Sequence, residues 1–209
     1  MTASSAEVDE EDFCRMCGWD GDRFWENGQP TAALCDSCGS ESGTGDFGAS
    51  PGSWDGVAQL HRFRGWWLGA GAEWSHPRSR PAEWDLFAQL ANIPPPWREP
   101  VPAPVDRERR IAERERYGSL GTETVCRLCG LSGETYWHRG APTGLRCPCC
   151  GAESGIDDLA VPGDWYSLAG IRALRGYWAA RGGPWYLPEK RPVDWDVLRQ
   201  FGNLPAEWR

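Results

Sequence analysis

Apolar residues recur at helical spacing in two distant parts of the chain. Val57, Leu60, Phe63 and Trp67 form one stripe, and Leu168, Ile171, Leu174 and Trp178 form another, each fitting the buried face of an amphipathic helix. Ser53 and Asp164, each just behind a Pro-Gly pair, stand where an N-cap belongs. Glycines close both segments, at Gly69 or Gly71 and at Gly182-Gly183. A second, shorter helix is expected after Pro81 and again after Pro192. Its inner face carries Trp84, Phe87 and Leu90 in one case and Trp195, Leu198 and Phe201 in the other. Asn92 and Asn203 suit its C-terminal cap, with Pro94 and Pro205 shortly beyond. The stretch before each long helix reads as hairpins.

The two stripes belong to an internal repeat. Shifted by 112 positions, Cys14, Cys17, Cys35 and Cys38 fall on Cys126, Cys129, Cys147 and Cys150, and Gly39-Ser-Glu-Ser-Gly43 falls on Gly151-Ala-Glu-Ser-Gly155. After a one-residue deletion the shift becomes 111 and runs to the C-terminus. Six tryptophan pairs then coincide, at 25/137, 54/165, 67/178, 74/185, 84/195 and 97/208. The expected organisation is a disordered acidic tail over 1–12, a first unit over 13–98, a linker over 99–121 and a second unit over 122–209. The linker opens on Glu99-Pro-Val-Pro-Ala-Pro-Val105, extended and semi-rigid by composition. Acids and arginines then alternate from Asp106 to Tyr117, predicting a short solvated helix, read as a charged linker with a binding segment as the alternative.

Both units read C-x2-C-x17-C-x2-C, the spacing of a four-cysteine zinc site. Two residues between cysteines form a tight knuckle that aims both sulfurs at one ion, and two knuckles complete a tetrahedron. Glycine follows each pair, at Gly18, Gly39, Gly130 and Gly151, where positive φ is needed. Two Zn2+ per chain are expected, with iron as the competing metal because tetrahedral sulfur also suits it. Four thiolates leave no open coordination position, so the sites read as structural. Cys149 is a ninth cysteine whose counterpart is Ser37; it reads as a passive thiol, with a redox-responsive role as the alternative. The fold expected is a small α+β one, with two tandem zinc-ribbon units of rubredoxin-like knuckles, each followed by two short helices. A serine at Cys14 is expected to unfold mainly the first unit.

Composition narrows the function. No apolar run approaches the ~20 residues of a bilayer span, and the N-terminal residues do not look like a signal peptide, so a cytoplasmic setting is expected. That reducing compartment favours metal binding over disulfides. The net charge of -8 and the absence of a basic stripe argue against nucleic acid as partner. The paired tryptophans read as core. Trp19 and Trp66, present in one copy only, are candidate partner-binding aromatics. Arg64 and Arg175, one turn before Trp67 and Trp178, are expected to stack on an aromatic, pair with a carboxylate or make an ordinary helix salt bridge. His61, His76 and His138 have no histidine counterparts, and no nucleophile–base pair or phosphate loop is apparent, so no enzyme is expected.

The second unit resembles a family of small bacterial four-cysteine zinc-ribbon proteins with no established activity. The resemblance rests on Cys-Arg-Leu-Cys-Gly from Cys126, Cys-Pro-Cys-Cys-Gly-Ala-Glu-Ser-Gly-Ile-Asp-Asp from Cys147, then Arg-Gly-Tyr-Trp, Gly-Pro-Trp, Pro-Val-Asp-Trp-Asp and Asn-Leu-Pro, and the first unit follows the same order. It implies one zinc per unit and transfers no reaction. The reading is a non-enzymatic protein–protein interaction module. A nucleic-acid-binding ribbon, an iron-binding electron carrier and a toxin-immunity protein stand as alternatives.

Overall fold

The structure, a computed structural model, describes residues 10–46, 48–114 and 121–209. Residues 1–9 of the acidic tail and 115–120 of the linker lie outside the described residues. Each copy opens on a small antiparallel sheet. The first is β1 (Glu10–Glu11), β2 (Trp25–Glu26) and β3 (Gln29–Pro30); the second is β4 (Glu123–Val125), β5 (Ser132–His138) and β6 (Ala141–Pro142). Trp25 lies opposite Glu11 and Pro30, and Trp137 opposite Glu123 and Pro142, so the register repeats with the sequence. Asn27-Gly28 turns the first hairpin with φ of 50° and 69°, the left-handed pair a two-residue loop requires. The first sheet thus starts at Glu10, ahead of the unit boundary expected at Phe13. The reason is local: the Glu11 carboxylate is buried in an ion pair with Arg15 at 2.6 Å.

The long helices are α1 (Trp54–Gly69) and, in the second copy, α5 (Ala169–Ala180). The Ser53 hydroxyl caps α1 by accepting from the Gly56 N–H at 3.2 Å. Asp164 accepts from the Ser167 N–H at 2.6 Å but caps only a preceding turn, because α5 begins at Ala169. The short helices, α2 (Leu86–Ala91) and α6 (Val197–Gly202), start later than the prolines suggested, each capped by an aspartate, Asp85 or Asp196. Trp84 and Trp195 therefore precede the helices. The buried faces also hold a polar residue, Gln89 or Gln200. A last turn, α3 (Pro95–Arg98) or the 3-10 turn Ala206–Trp208, brings in Trp97 or Trp208. The linker helix is α4 (Arg107–Glu113), capped by Asp106.

One hydrophobic cluster runs through both copies, with Leu60, Leu68, Leu90 and Ile93 from the first and Leu168, Ile171, Phe201 and Leu204 from the second. Its centre is the crossing of α1 and α5, the most extensive packing between any two elements. A Cβ on Gly65 would collide with the Arg172 carbonyl, and one on Gly176 with the His61 carbonyl. Those four residues form two counterpart pairs, 65/176 and 61/172, so the helices run antiparallel about a pseudo-twofold axis. Small residues at the crossing let the backbones meet, and the arrangement is that of an isologous dimer within one chain. Among the described residues no helix is long and apolar enough to cross a membrane.

Candidate metal centres

Each cluster forms from two knuckles. In the first, the Gly18 N–H donates to the Cys14 carbonyl at 2.7 Å and the Cys14 N–H to the Trp19 carbonyl at 2.8 Å. The second knuckle repeats this with Gly39 and Cys35 at 2.8 Å, and the second copy with Gly130 and Cys126 at 2.8 Å and Gly151 and Cys147 at 2.9 Å. Gly18 and Gly130 have φ of 78°, and a Cβ on either would collide with the carbonyl of Gln89 or Gln200. Glycine is thus required at both positions by conformation and by space.

The sulfurs of Cys14, Cys17, Cys35 and Cys38 lie within 4.8 Å of one another, as do those of Cys126, Cys129, Cys147 and Cys150. The separations are 3.7 Å for Cys14–Cys38, 3.5 Å for Cys17–Cys35, and 3.7 Å for Cys126–Cys150 and Cys129–Cys147. A tetrahedron with metal–sulfur distances of about 2.3 Å has edges of about 3.8 Å. The eight cysteines therefore form two sites, each arranged to hold one metal ion. Burial pushes the Cys14, Cys129 and Cys150 thiols up, while hydrogen bonds from Cys126 and Cys129 hold Cys147 down. Four thiols so placed compete for protons, and a divalent cation removes the conflict by stabilising all four thiolates.

The surroundings of each site are polar and buried. Arg64 lies under the first knuckle, its Nε donating to the Met16 carbonyl at 2.6 Å and Nη2 to the Arg15 carbonyl at 2.9 Å. Arg175 does the same with Leu128 at 2.7 Å and Arg127 at 2.9 Å. Among the described residues neither makes the aromatic stack, carboxylate pair or helix salt bridge expected from sequence. Backbone carbonyls inside the knuckle take the fork instead, placing a positive charge beside the thiolates. Burial lowers both guanidinium groups to about 10, so both stay charged at neutral pH.

Two further pairs escaped the sequence reading. Arg15 sits between Trp25 and Trp97, 3.6 Å and 4.1 Å from their ring centroids, and pairs with Glu11; Arg127 sits between Trp137 and Trp208 at 3.8 Å and 3.9 Å and pairs with Glu123. The same arginine in both Cys-Arg-x-Cys pairs was the available signal. Gln89 donates to the Cys17 carbonyl at 3.1 Å and accepts from the Trp84 indole at 2.7 Å; Gln200 does so with Cys129 at 2.9 Å and Trp195 at 2.8 Å. Asn92 and Asn203, besides capping, donate to the Gly18 and Gly130 carbonyls at 3.0 Å and 3.2 Å.

Four of the differences between the copies lie close to the sites or their framework. Tyr136 donates to Cys147 Sγ at 3.4 Å where the first copy has Phe24. Cys149 is fully buried outside the sulfur cluster, with its Sγ accepting from Gln200 at 3.4 Å, where Ser37 accepts from Gln89 at 3.0 Å. Trp19 is half-buried edge-on to Trp74 at 4.8 Å, whereas Trp66 is 39% exposed and lies 6.0 Å from Trp165 of the other copy. No family model, no curated protein and no solved structure matches the chain, so the tandem metal-binding duplication rests on the two clusters and their repeated framework.

Proposed function

We propose that the protein is a non-enzymatic, cytoplasmic zinc-binding module, two zinc ribbons fused about one helix crossing, whose role is to recognise another protein. The observation that carries this reading is the pairing of closed four-sulfur sites with an exposed aromatic patch between the copies. Trp66, Trp165 and Tyr166 are 39%, 37% and 80% exposed, with Arg62 5.1 Å from the Trp165 ring and 5.8 Å from the Tyr166 ring. Exposed aromatics with an arginine are the residues in which binding energy concentrates at protein interfaces. Metals in closed thiolate sites stabilise the frame and offer no position to a substrate.

Metal analysis of the purified chain tests the first half: two zinc per chain and no visible absorption are expected, and a red protein with thiolate-to-iron charge transfer would overturn it. Pull-down from the native cell tests the second. A partner retained by the wild type should be lost with Trp66→Ala combined with Tyr166→Ala. Retention on DNA or heparin at about 150 mM salt would instead favour the nucleic-acid reading.

A further inference from the structure

The duplication gives the molecule two versions of one groove beside a metal site, and only one has a cover. In the second copy, Leu128, Cys150, Leu174, Tyr177 and Trp178 form one side of a cavity of about 450 Å³, and the linker residues Val101, Pro102 and Val105 form the other. In the first copy the counterparts Met16, Cys38, Phe63, Trp66 and Trp67, with Ser40, Thr44 and Gly45, line a cavity of about 220 Å³, and among the described residues no segment like the linker lies against it. The cover is also fastened electrostatically. Arg107, two residues past Val105, donates to both carboxylate oxygens of Glu153 at 3.0 Å and 2.7 Å, and Arg146 joins them at 2.8 Å. Glu41, the counterpart of Glu153, is exposed and makes no ion pair among the described residues. Leu34 stands where Arg146 stands in the other copy.

We infer that the open groove of the first copy binds an extended Pro/Val-rich peptide that carries an arginine two residues beyond its last valine, in the manner of Val101–Arg107 on the second copy. This rests on the recognition role proposed above and names the partner's chemistry. The Val101–Arg107 segment supplies the rules. Prolines hold the peptide extended, so little order is lost on docking, and an aromatic-lined groove is the kind of surface that reads such a conformation. Trp66 offers a larger ring than Tyr177 at the same place. The Glu41 carboxylate supplies the charge that fixes direction and register.

The test uses a fluorescently labelled synthetic peptide with the sequence of residues 100–110, titrated into the metal-loaded full chain and followed by anisotropy. One saturable site per chain is expected. Trp66→Ala should weaken binding at least about tenfold, while Trp66→Tyr, which restores the ring found in the other copy, should stay within about threefold of wild type. Glu41→Arg should weaken it about threefold to fivefold, and a peptide with glutamate in place of its Arg107 should bind the Glu41→Arg chain better than the wild type. Metal content and circular dichroism unchanged in each variant show that the fold is intact. Three results overturn the proposal. One is no saturable binding up to about 1 mM peptide. Another is binding lost with Tyr177→Ala but kept with Trp66→Ala, which places the peptide on the second copy. The third is binding seen only after residues 1–9 are removed, which makes that segment the occupant. A cellular partner captured equally by wild type and Trp66→Ala chains, with no peptide bound, would sink the groove proposal and leave the recognition role standing.

Discussion

Four arginines surround the two metal sites, and their roles show how much depends on side-chain shape. Arg175 makes four hydrogen bonds, to the carbonyls of Arg127, Leu128, Trp208 and, across the copies, Gly65. A lysine keeps the charge but cannot reproduce a planar fork. Arg175→Lys is therefore expected to lower stability by about 2–4 kcal/mol, because buried carbonyls lose charged donors; urea unfolding of the metal-loaded chain measures it. His61 gives a pH effect of definite sign. Burial, and then the neighbouring Arg64 charge, lower its pKa from 6.5 to about 2. Below pH 6.5 the unfolded chain takes up a proton that the folded chain refuses, so stability falls with pH by about 1.4 kcal/mol per unit. Between pH 7 and 5.5, His61→Gln should lose about 1.4 kcal/mol less than wild type. Equal losses in the two proteins would show that His61 is solvated. The cysteine ligands were legible from spacing alone. Arg15, Arg64, Gln89 and their counterparts were not, since arginine and glutamine on helices and in loops have many local uses.

At the scale of elements, the decisive one is the long helix. Its apolar stripe was legible because Val57, Leu60 and Trp67 all face inward and are buried. The stripe could not say what the other face does. Gly65 and Gly176 sit where an isolated helix would gain about 1 kcal/mol from alanine. At the crossing the sign reverses, because the added methyl meets a carbonyl of the partner helix. Gly65→Ala should destabilise by about 2–3 kcal/mol while leaving both metals bound. Thermal unfolding with metal analysis on the same sample measures both; a raised melting temperature would mean the helices do not cross there. The short helices show the reverse case. Pro81 and Pro192 drew their predicted starts too early, while the aspartate caps that start them, Asp85 and Asp196, each bond the N–H three residues on, at 2.7 Å and 2.9 Å.

Across the whole molecule, the copies share one core. Trp54 of the first packs edge-on to Tyr177 of the second at 5.7 Å, and Trp165 of the second packs against Trp66 of the first at 6.0 Å. Phe87 of the first stacks on Trp195 of the second at 5.8 Å. Sequence alone suggested that a serine at Cys14 would unfold mainly the first unit. The shared crossing changes that expectation: Cys14→Ser should lower the melting temperature of the whole chain in one transition. A differential scan checks it, and two separate transitions, one at the wild-type temperature, would mean the copies fold independently.

Sequence by itself determined the duplication, the two sets of four cysteines, the glycines that turn the knuckles, the existence of the helices and the inner faces of the two long ones. All of these are set by short-range spacing, a few residues of chain deciding which way a sulfur or an apolar side chain points. Tertiary structure alone decided what the arginines bind, which glycines let two helices touch, and which groove the linker covers. Arg64 reaches a carbonyl 48 residues away and Arg175 one 110 residues away. No local pattern distinguishes an arginine bound for such a carbonyl from one left in water, because the choice is made by the packing that excludes the water.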